Sequence, residues 1–316
     1  MTSSKAGDSA LSAQRPRRHK KAESTEVVLG GGAYRGFSHC GLLQAIEELN
    51  VNTGIITGVS IGSLIATLYT NGFSPAQIEE IFATELTEVP TPGLVRSLLI
   101  PAPIGRLFRV TTGGGLVDLP ALFSHLIEKY DLKPQPNLRI VAYNLFKREP
   151  VVFEGTDYDL LTAVCASCAV PFLMRPVWFG QPNIIDKLTT VAASWLGLSE
   201  KGLLVDGGVH HPCPGNFSKG TAIIGKLGFA TSLPRRWLSS TDLLFHLLEM
   251  AAAPVLGWYF NDPEDHVVID IGLPDVACMS FGLPRSKCRE MVEHAYEVSL
   301  APLRRAIADG AIKVRK

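Results

Sequence analysis

No charge of either sign dominates this chain, in which 30 Lys and Arg balance 30 Asp and Glu over 316 residues. That excludes the overall basic field by which composition announces a nucleic-acid binder, and no nucleic-acid partner is expected. Cysteine is sparse. Its six residues, at 40, 165, 168, 213, 278 and 288, are too few for a disulfide scaffold and fit a reducing, cytoplasmic setting. Cys165-Ala-Ser-Cys168 has no matching second pair, so it reads as core packing rather than a zinc or redox site. Uninterrupted apolar runs are missing too. The longest apolar stretch, Leu243 to Phe260, is broken by His246, Glu249 and Pro254, and residues 1–24 hold no apolar segment of the secretory type. Neither a transmembrane helix nor a cleavable signal peptide is expected.

What the chain does have is apolar material, 46% of its residues, with many turns from 29 Gly and 21 Pro. That is the composition of a globular protein. Basic residues gather at the two ends. Residues 1–25 carry six against Asp8 and Glu23, and residues 301–316 carry Arg304, Arg305, Lys313, Arg315 and Lys316 against Asp309. Residues 1–25 read as a basic disordered tail, and both ends as solvated or weakly drawn to anionic lipid. Residues 26–316 read as one domain, with its motifs in 26–215 and a helical part in 240–310.

Periodicity places a buried strand at Val27-Val28-Leu29, a glycine turn, and a helix through Leu42, Leu43, Ile46 and Leu49. A second strand, Gly54 to Val59, precedes a helix from Ile61 to Thr70. Strand, helix, strand, helix implies α/β architecture with a parallel sheet. Ser74-Pro75 with Glu79 reads as a helix start, Pro90 to Gly115 as a surface excursion, and Leu119 to Tyr130 as a helix. Paired strands follow at 138–146 and 151–154, then a helix at 158–168, strands near 203–205, 221–225 and 267–271, and a long helix at 285–308.

Gly58-Val59-Ser60-Ile61-Gly62 is G-x-S-x-G between a predicted strand and a predicted helix, the setting of a nucleophile elbow. Gly58 and Gly62 leave room for a sharp turn that projects the Ser60 hydroxyl. The turn Gly30-Gly31-Gly32-Ala33-Tyr34-Arg35-Gly36 misses the dinucleotide fingerprint, because Gly36 comes one residue late, and no Gly-Lys-Ser/Thr follows to make a P-loop. It remains either a structural turn or an oxyanion hole of bare backbone amides.

These segments, with Val205-Asp206-Gly207-Gly208 and Ala166-Ser167-Cys168-Ala169-Val170-Pro171, resemble the blocks of the patatin-like phospholipase family in order and spacing. The resemblance implies a three-layer α/β/α patatin-like fold with a mainly parallel central sheet. It implies Ser60 as nucleophile, Asp206 as base, the amides of Gly31, Gly32 and Ala33 beside Arg35 as oxyanion donors, and Gly207 and Gly208 as the glycines of the base motif. The implied activity is metal-free and cofactor-free hydrolysis of phospholipids or other acyl lipids at a membrane surface. It belongs to lipid metabolism, and an activating protein partner is allowed.

Three departures stand beside the resemblance. Ala33 replaces a glycine, Val209-His210-His211-Pro212 replaces the usual Asn before Leu-Pro, and residues 180–201 look like an inserted amphipathic segment. A histidine base is the alternative to Asp206, with His210, His211, His246, His266 and His294 at hand. His39 reads as packing behind the first turn. A metal site drawn from His39, Cys40, His210, His211 and Cys213 would need distant segments to meet tetrahedrally, and none is expected. Residues 180–201 and 243–260 read as core helices, with a lid or interfacial helix as the alternative. A catalytically weak lipid- or membrane-binding regulatory protein of the same fold is the alternative to the enzyme.

Overall fold

A computed structural model of the chain describes residues 24–86, 119–171, 174–179, 202–227, 266–272 and 283–315. The segments read as a surface excursion, an insertion and an apolar stretch (90–115, 180–201 and 243–260) lie outside them, as do residues 1–23 of the segment 1–25 read as a tail, whose last residue, Thr25, instead begins a strand and is buried. The strands are β1 (Thr25–Leu29), β2 (Thr53–Val59), β3 (Leu138–Asn144), β4 (Glu149–Glu154), β5 (Val177–Trp178), β6 (Leu203–Asp206), β7 (Ala222–Leu227) and β8 (Val267–Ile271). The helices are α1 (Ser38–Glu48), α2 (Ile61–Thr70), α3 (Pro75–Ile81), α4 (Leu119–Lys129), α5 (Leu160–Ser167) and α6 (Arg285–Ala308).

One sheet joins all the strands. β8, β7, β1, β2 and β3 lie side by side in that order and run parallel. Val27, Val28 and Leu29 are fully buried because β1 sits in the middle of this parallel set, where both faces are covered and apolar residues need not alternate with polar ones. Val27 and Leu29 join the cluster that includes apolar residues of α1 to α6, whereas Val28 joins a second cluster with Cys213, Ala222 and Ile224. The chain thus has the α/β class expected, a mainly parallel sheet flanked by helices.

The antiparallel part of the sheet positions the site. β4 pairs with β3 over residues 139–144 and so occupies one edge of β3 along that length. On the other edge β2 pairs with residues 138–141, running parallel, and β6 pairs with 142–144, running antiparallel. β2 and β6 therefore approach each other head to head along one edge of β3. Val59 stands opposite Val141 and Asp206 opposite Ala142, the next position. One strand residue rises by about 3.3 Å, so the C-terminal ends of the two strands abut.

Helix ends follow local chemistry. Ser74 caps α3 through a reciprocal pair with Gln77, the Ser74 hydroxyl accepting from the Gln77 amide and the Gln77 side chain accepting from the Ser74 amide. The expected start at Ser74-Pro75 is therefore where the helix begins, but its partner is Gln77 rather than Glu79. Among the described residues, no helix is long and apolar enough to cross a membrane.

Candidate active site

Ser60 is where β2 runs out of room. The next place along β3 is already taken by Asp206, and the chain leaves the sheet through Ser60 at φ 53° and ψ −132°, a conformation an L-residue holds only when its surroundings impose it. α2 starts at once. A Cβ at Gly58 would lie 2.4 Å from the Gly62 carbonyl oxygen, and one at Gly62 would lie 2.2 Å from that of Leu29. The elbow is folded so tightly on itself and on the end of β1 that neither glycine can carry a side chain.

The Ser60 hydroxyl donates to Oδ2 of Asp206 at 2.6 Å, across 146 positions of sequence. Oδ1 of Asp206 accepts the Gly208 amide at 2.7 Å, and the Asp206 amide donates to the Ala169 carbonyl at 2.9 Å. Asp206 is 3% exposed and Ser60 8%. Burial pushes the Asp206 carboxyl up from 3.8 to about 7, against the opposing pull of the Ser60 hydroxyl and the Gly208 amide. The carboxylate is half ionised near neutrality and bonded to the hydroxyl it would deprotonate.

The glycine turn lies against this pair, with a Cβ at Gly31 only 3.2 Å from that of Ser60. The peptide unit joining Gly30 to Gly31 is clamped at both ends. Its carbonyl accepts from Nε2 of His39 at 2.8 Å, and its amide donates to the Pro212 carbonyl at 2.9 Å. The Gly31 amide is therefore engaged, which corrects its expected place among the oxyanion donors. Among the described residues the amides of Gly32 and Ala33 have no such partner. Ala33, at φ 47°, opens the short turn of helix that buries Arg35.

His39 lies behind the turn, as expected. It is fully buried, and desolvation lowers its pKa to about 4, so it stays neutral and donates from Nε2. His210 and His211 lie against each other and against aromatic rings. Their Nδ1 atoms are 3.2 Å apart, His210 stacks on Tyr143 with centroids 4.7 Å apart, and His211 lies against Phe217. His266 accepts the Ala222 amide, and His294 is exposed on α6; His246 lies outside the described residues. Among the described residues, no three His, Cys, Asp or Glu side chains are grouped to hold a metal ion.

Two further buried side chains, to which the sequence reading gave no role, tie the strands and helices together. Ser167, at the end of α5, accepts the Ser60 amide at 2.9 Å and donates to the Val141 carbonyl at 2.7 Å. Arg139 of β3 is buried where it reaches Glu26 of β1, Thr57 of β2, Glu154 of β4 and the Phe217 carbonyl. An arginine inside an otherwise apolar strand was the available signal for the second; for the first it was its place in the block Ala166-Ser167-Cys168-Ala169-Val170-Pro171.

The family model described as patatin-like phospholipase matches residues 27–215, more than half of the chain. The lysophospholipase NTE1 of Saccharomyces cerevisiae is 49% identical over 47 residues, which are 15% of this chain and 3% of that protein. Patatin-like phospholipase domain-containing protein 6 of Homo sapiens is 41% identical over 71 residues, 22% of this chain and 5% of the relative. The matched segments thus span only a small part of these relatives. The crystal structure of VipD from Legionella pneumophila overlays with a TM-score of 0.49 at 15% identity, covering 90% of this chain and 67% of that one.

Proposed function

The chain belongs to the patatin-like phospholipase family, and from that premise we propose that it is a lipid acyl hydrolase that cleaves carboxylic esters through an acyl-serine intermediate, without metal or cofactor. The observation that carries the reading is the 2.6 Å hydrogen bond from the Ser60 hydroxyl to Asp206. Asp206 removes the hydroxyl proton as Oγ attacks the ester carbonyl carbon. The carbonyl oxygen becomes an oxyanion, held by the amides of Gly32 and Ala33 at the start of a helical turn. Collapse breaks the carbon–oxygen bond of the ester, and Asp206 returns the proton to the departing alcohol. Water then attacks the acyl-serine with Asp206 again as base, releasing the fatty acid and restoring Ser60.

The substrate class proposed is a phospholipid, lysophospholipid or related acyl lipid met at a membrane surface, from a cytoplasmic position. The residues after Asp206 had left room for a non-catalytic lipid-binding protein. They fold instead as a single turn, with the amides of His210 and His211 on the Gly207 carbonyl, at 3.2 and 2.7 Å. That turn leaves the bond from Ser60 to Asp206 in place, which favours the enzyme.

Assay of the purified protein against a panel of phospholipid and lysophospholipid esters tests the reading. Ser60→Ala and Asp206→Asn are each expected to lower the rate by about 1,000-fold or more, in line with loss of a nucleophile or its base. Folded variants that hydrolyse at the wild-type rate would refute it.

A further inference from the structure

The hydrogen bonds between β2 and β3 carry an irregularity one residue long, at the nucleophile. In a parallel ladder the donors of one strand recur at every second residue. The Ile56 amide donates to the Asn137 carbonyl at 2.8 Å. In the observed register, with Gly58 opposite Ile140 and Val59 opposite Val141, the next donors are Gly58 toward Arg139 and Ser60 toward Val141. The last of these rungs is interrupted. The Ser60 amide donates to Oγ of Ser167 at 2.9 Å, and that hydroxyl passes its own proton to the Val141 carbonyl at 2.7 Å.

We infer that Ser167 is a positioning residue for the nucleophile, a hydroxyl inserted into the sheet that holds Ser60 away from β3 and within reach of Asp206. A hydroxyl suits the place because it has one proton to give and lone pairs to accept with, and here both are used. The segment that carries Ser167 serves the base as well. Ala169, two positions on, accepts the Asp206 amide at 2.9 Å, so the ends of β2 and β6 are tied to one segment at the end of α5. Cys168 between them lies 3.8 Å from the Ser63 hydroxyl, which itself donates to the Ser60 carbonyl at 2.6 Å. Ser167 is fully buried, so water does not substitute for it from the surface.

The inference rests on the proposed roles of Ser60 and Asp206, and its test separates the two. In Ser167→Ala the direct rung from Ser60 to Val141 is free to close, which draws Oγ from the carboxylate. The expected result is kcat lower by about 10- to 100-fold, the loss seen when a reacting group is misplaced by an ångström or so, with KM within twofold. Ser167→Thr, which keeps the hydroxyl, is expected to recover most of the loss. The amide proton of Ser60, followed by NMR, is expected to shift in the Ala variant and to stay near its wild-type position in the Thr variant. An Ala variant with kcat within twofold of wild type and an unshifted Ser60 amide would overturn the inference, as would equal losses in the two variants. Activity that survives Ser60→Ala would instead refute the proposed chemistry, and the Ser60 amide shift would then decide the inference alone.

Discussion

Asp206 is the residue on which pH acts. A carboxyl at 3.8 in the unfolded chain and about 7 in the folded one binds its proton more tightly when folded. Between those values the folded state holds the proton and the unfolded state has lost it, so stability falls as pH rises through that window. The full penalty, present above pH 7, is on the order of 4 kcal/mol at about 1.4 kcal/mol per unit. Asp206→Asn is neutral in both states. It is expected to melt higher than wild type at pH 8, by several degrees in a thermal scan, and to melt with wild type below pH 4. An equal or lower melting point at pH 8 would mean the carboxylate is not destabilised by its site. Catalysis runs the other way. In the proposed chemistry the carboxylate is the working form, so kcat/KM is expected to rise about tenfold per unit below pH 7 and level off above it; a flat profile from pH 5 to 8 would contradict the assignment. Ser60 was legible because its glycine-flanked segment carries its own mechanical reason, and Asp206 because the block Val205-Asp206-Gly207-Gly208 resembles that of the family. The engaged Gly31 amide and the role of Ser167 were not, because each depends on a partner, Pro212 or Val141, that only strand register brings near.

The strands and helices supply the rigidity around that pair. Arg139 spans β1 to β4, its Nη1 2.9 Å from Glu26 and its Nε 3.1 Å from Glu154. Removing it leaves the half-shielded Glu26 without its cation, the costly half of breaking a buried pair. Arg139→Ala is expected to lose about 3 kcal/mol in urea unfolding, and Arg139→Lys to regain less than half of that, because an ammonium cannot fork to both carboxylates. A loss under about 0.5 kcal/mol would place Arg139 among ordinary surface substitutions. At the elbow, Gly62→Ala puts a methyl 2.2 Å from the Leu29 carbonyl, a backbone atom that cannot rotate away. Loss of the folded state or a fall in melting temperature of 10 °C or more, on the order of 3 kcal/mol for a domain of this size, is expected; a normal melt would show that β1 and α2 are not held so close. Apart from the two-residue β5, which the sequence reading missed, the run of strands and helices could be read from apolar periodicity to within a few residues. The direction of β6 could not, since four apolar-rich residues pair equally well either way until β2 and β4 have claimed the rest of β3.

Across the fold, the site is a junction rather than a pocket on one element. Ser60 comes from the end of a parallel strand, Asp206 from the end of an antiparallel one, and they meet because both claim the same edge of β3. Two hydrophobic clusters hold the sheet from its two faces, so the dyad geometry persists only while the whole sheet does. Composition and motif order together made the α/β class readable, but no pattern along the chain showed that two strand ends would face each other. Mapping the adduct of a fluorophosphonate probe by peptide mass spectrometry, in wild type and in Asp206→Asn, bears on that meeting without requiring the natural lipid. A covalent adduct on Ser60 alone, formed in wild type faster as pH rises through about 7 and nearly absent in Asp206→Asn, is the result expected. An adduct on another residue, or equal labelling of Ser60 in the two proteins, would contradict it.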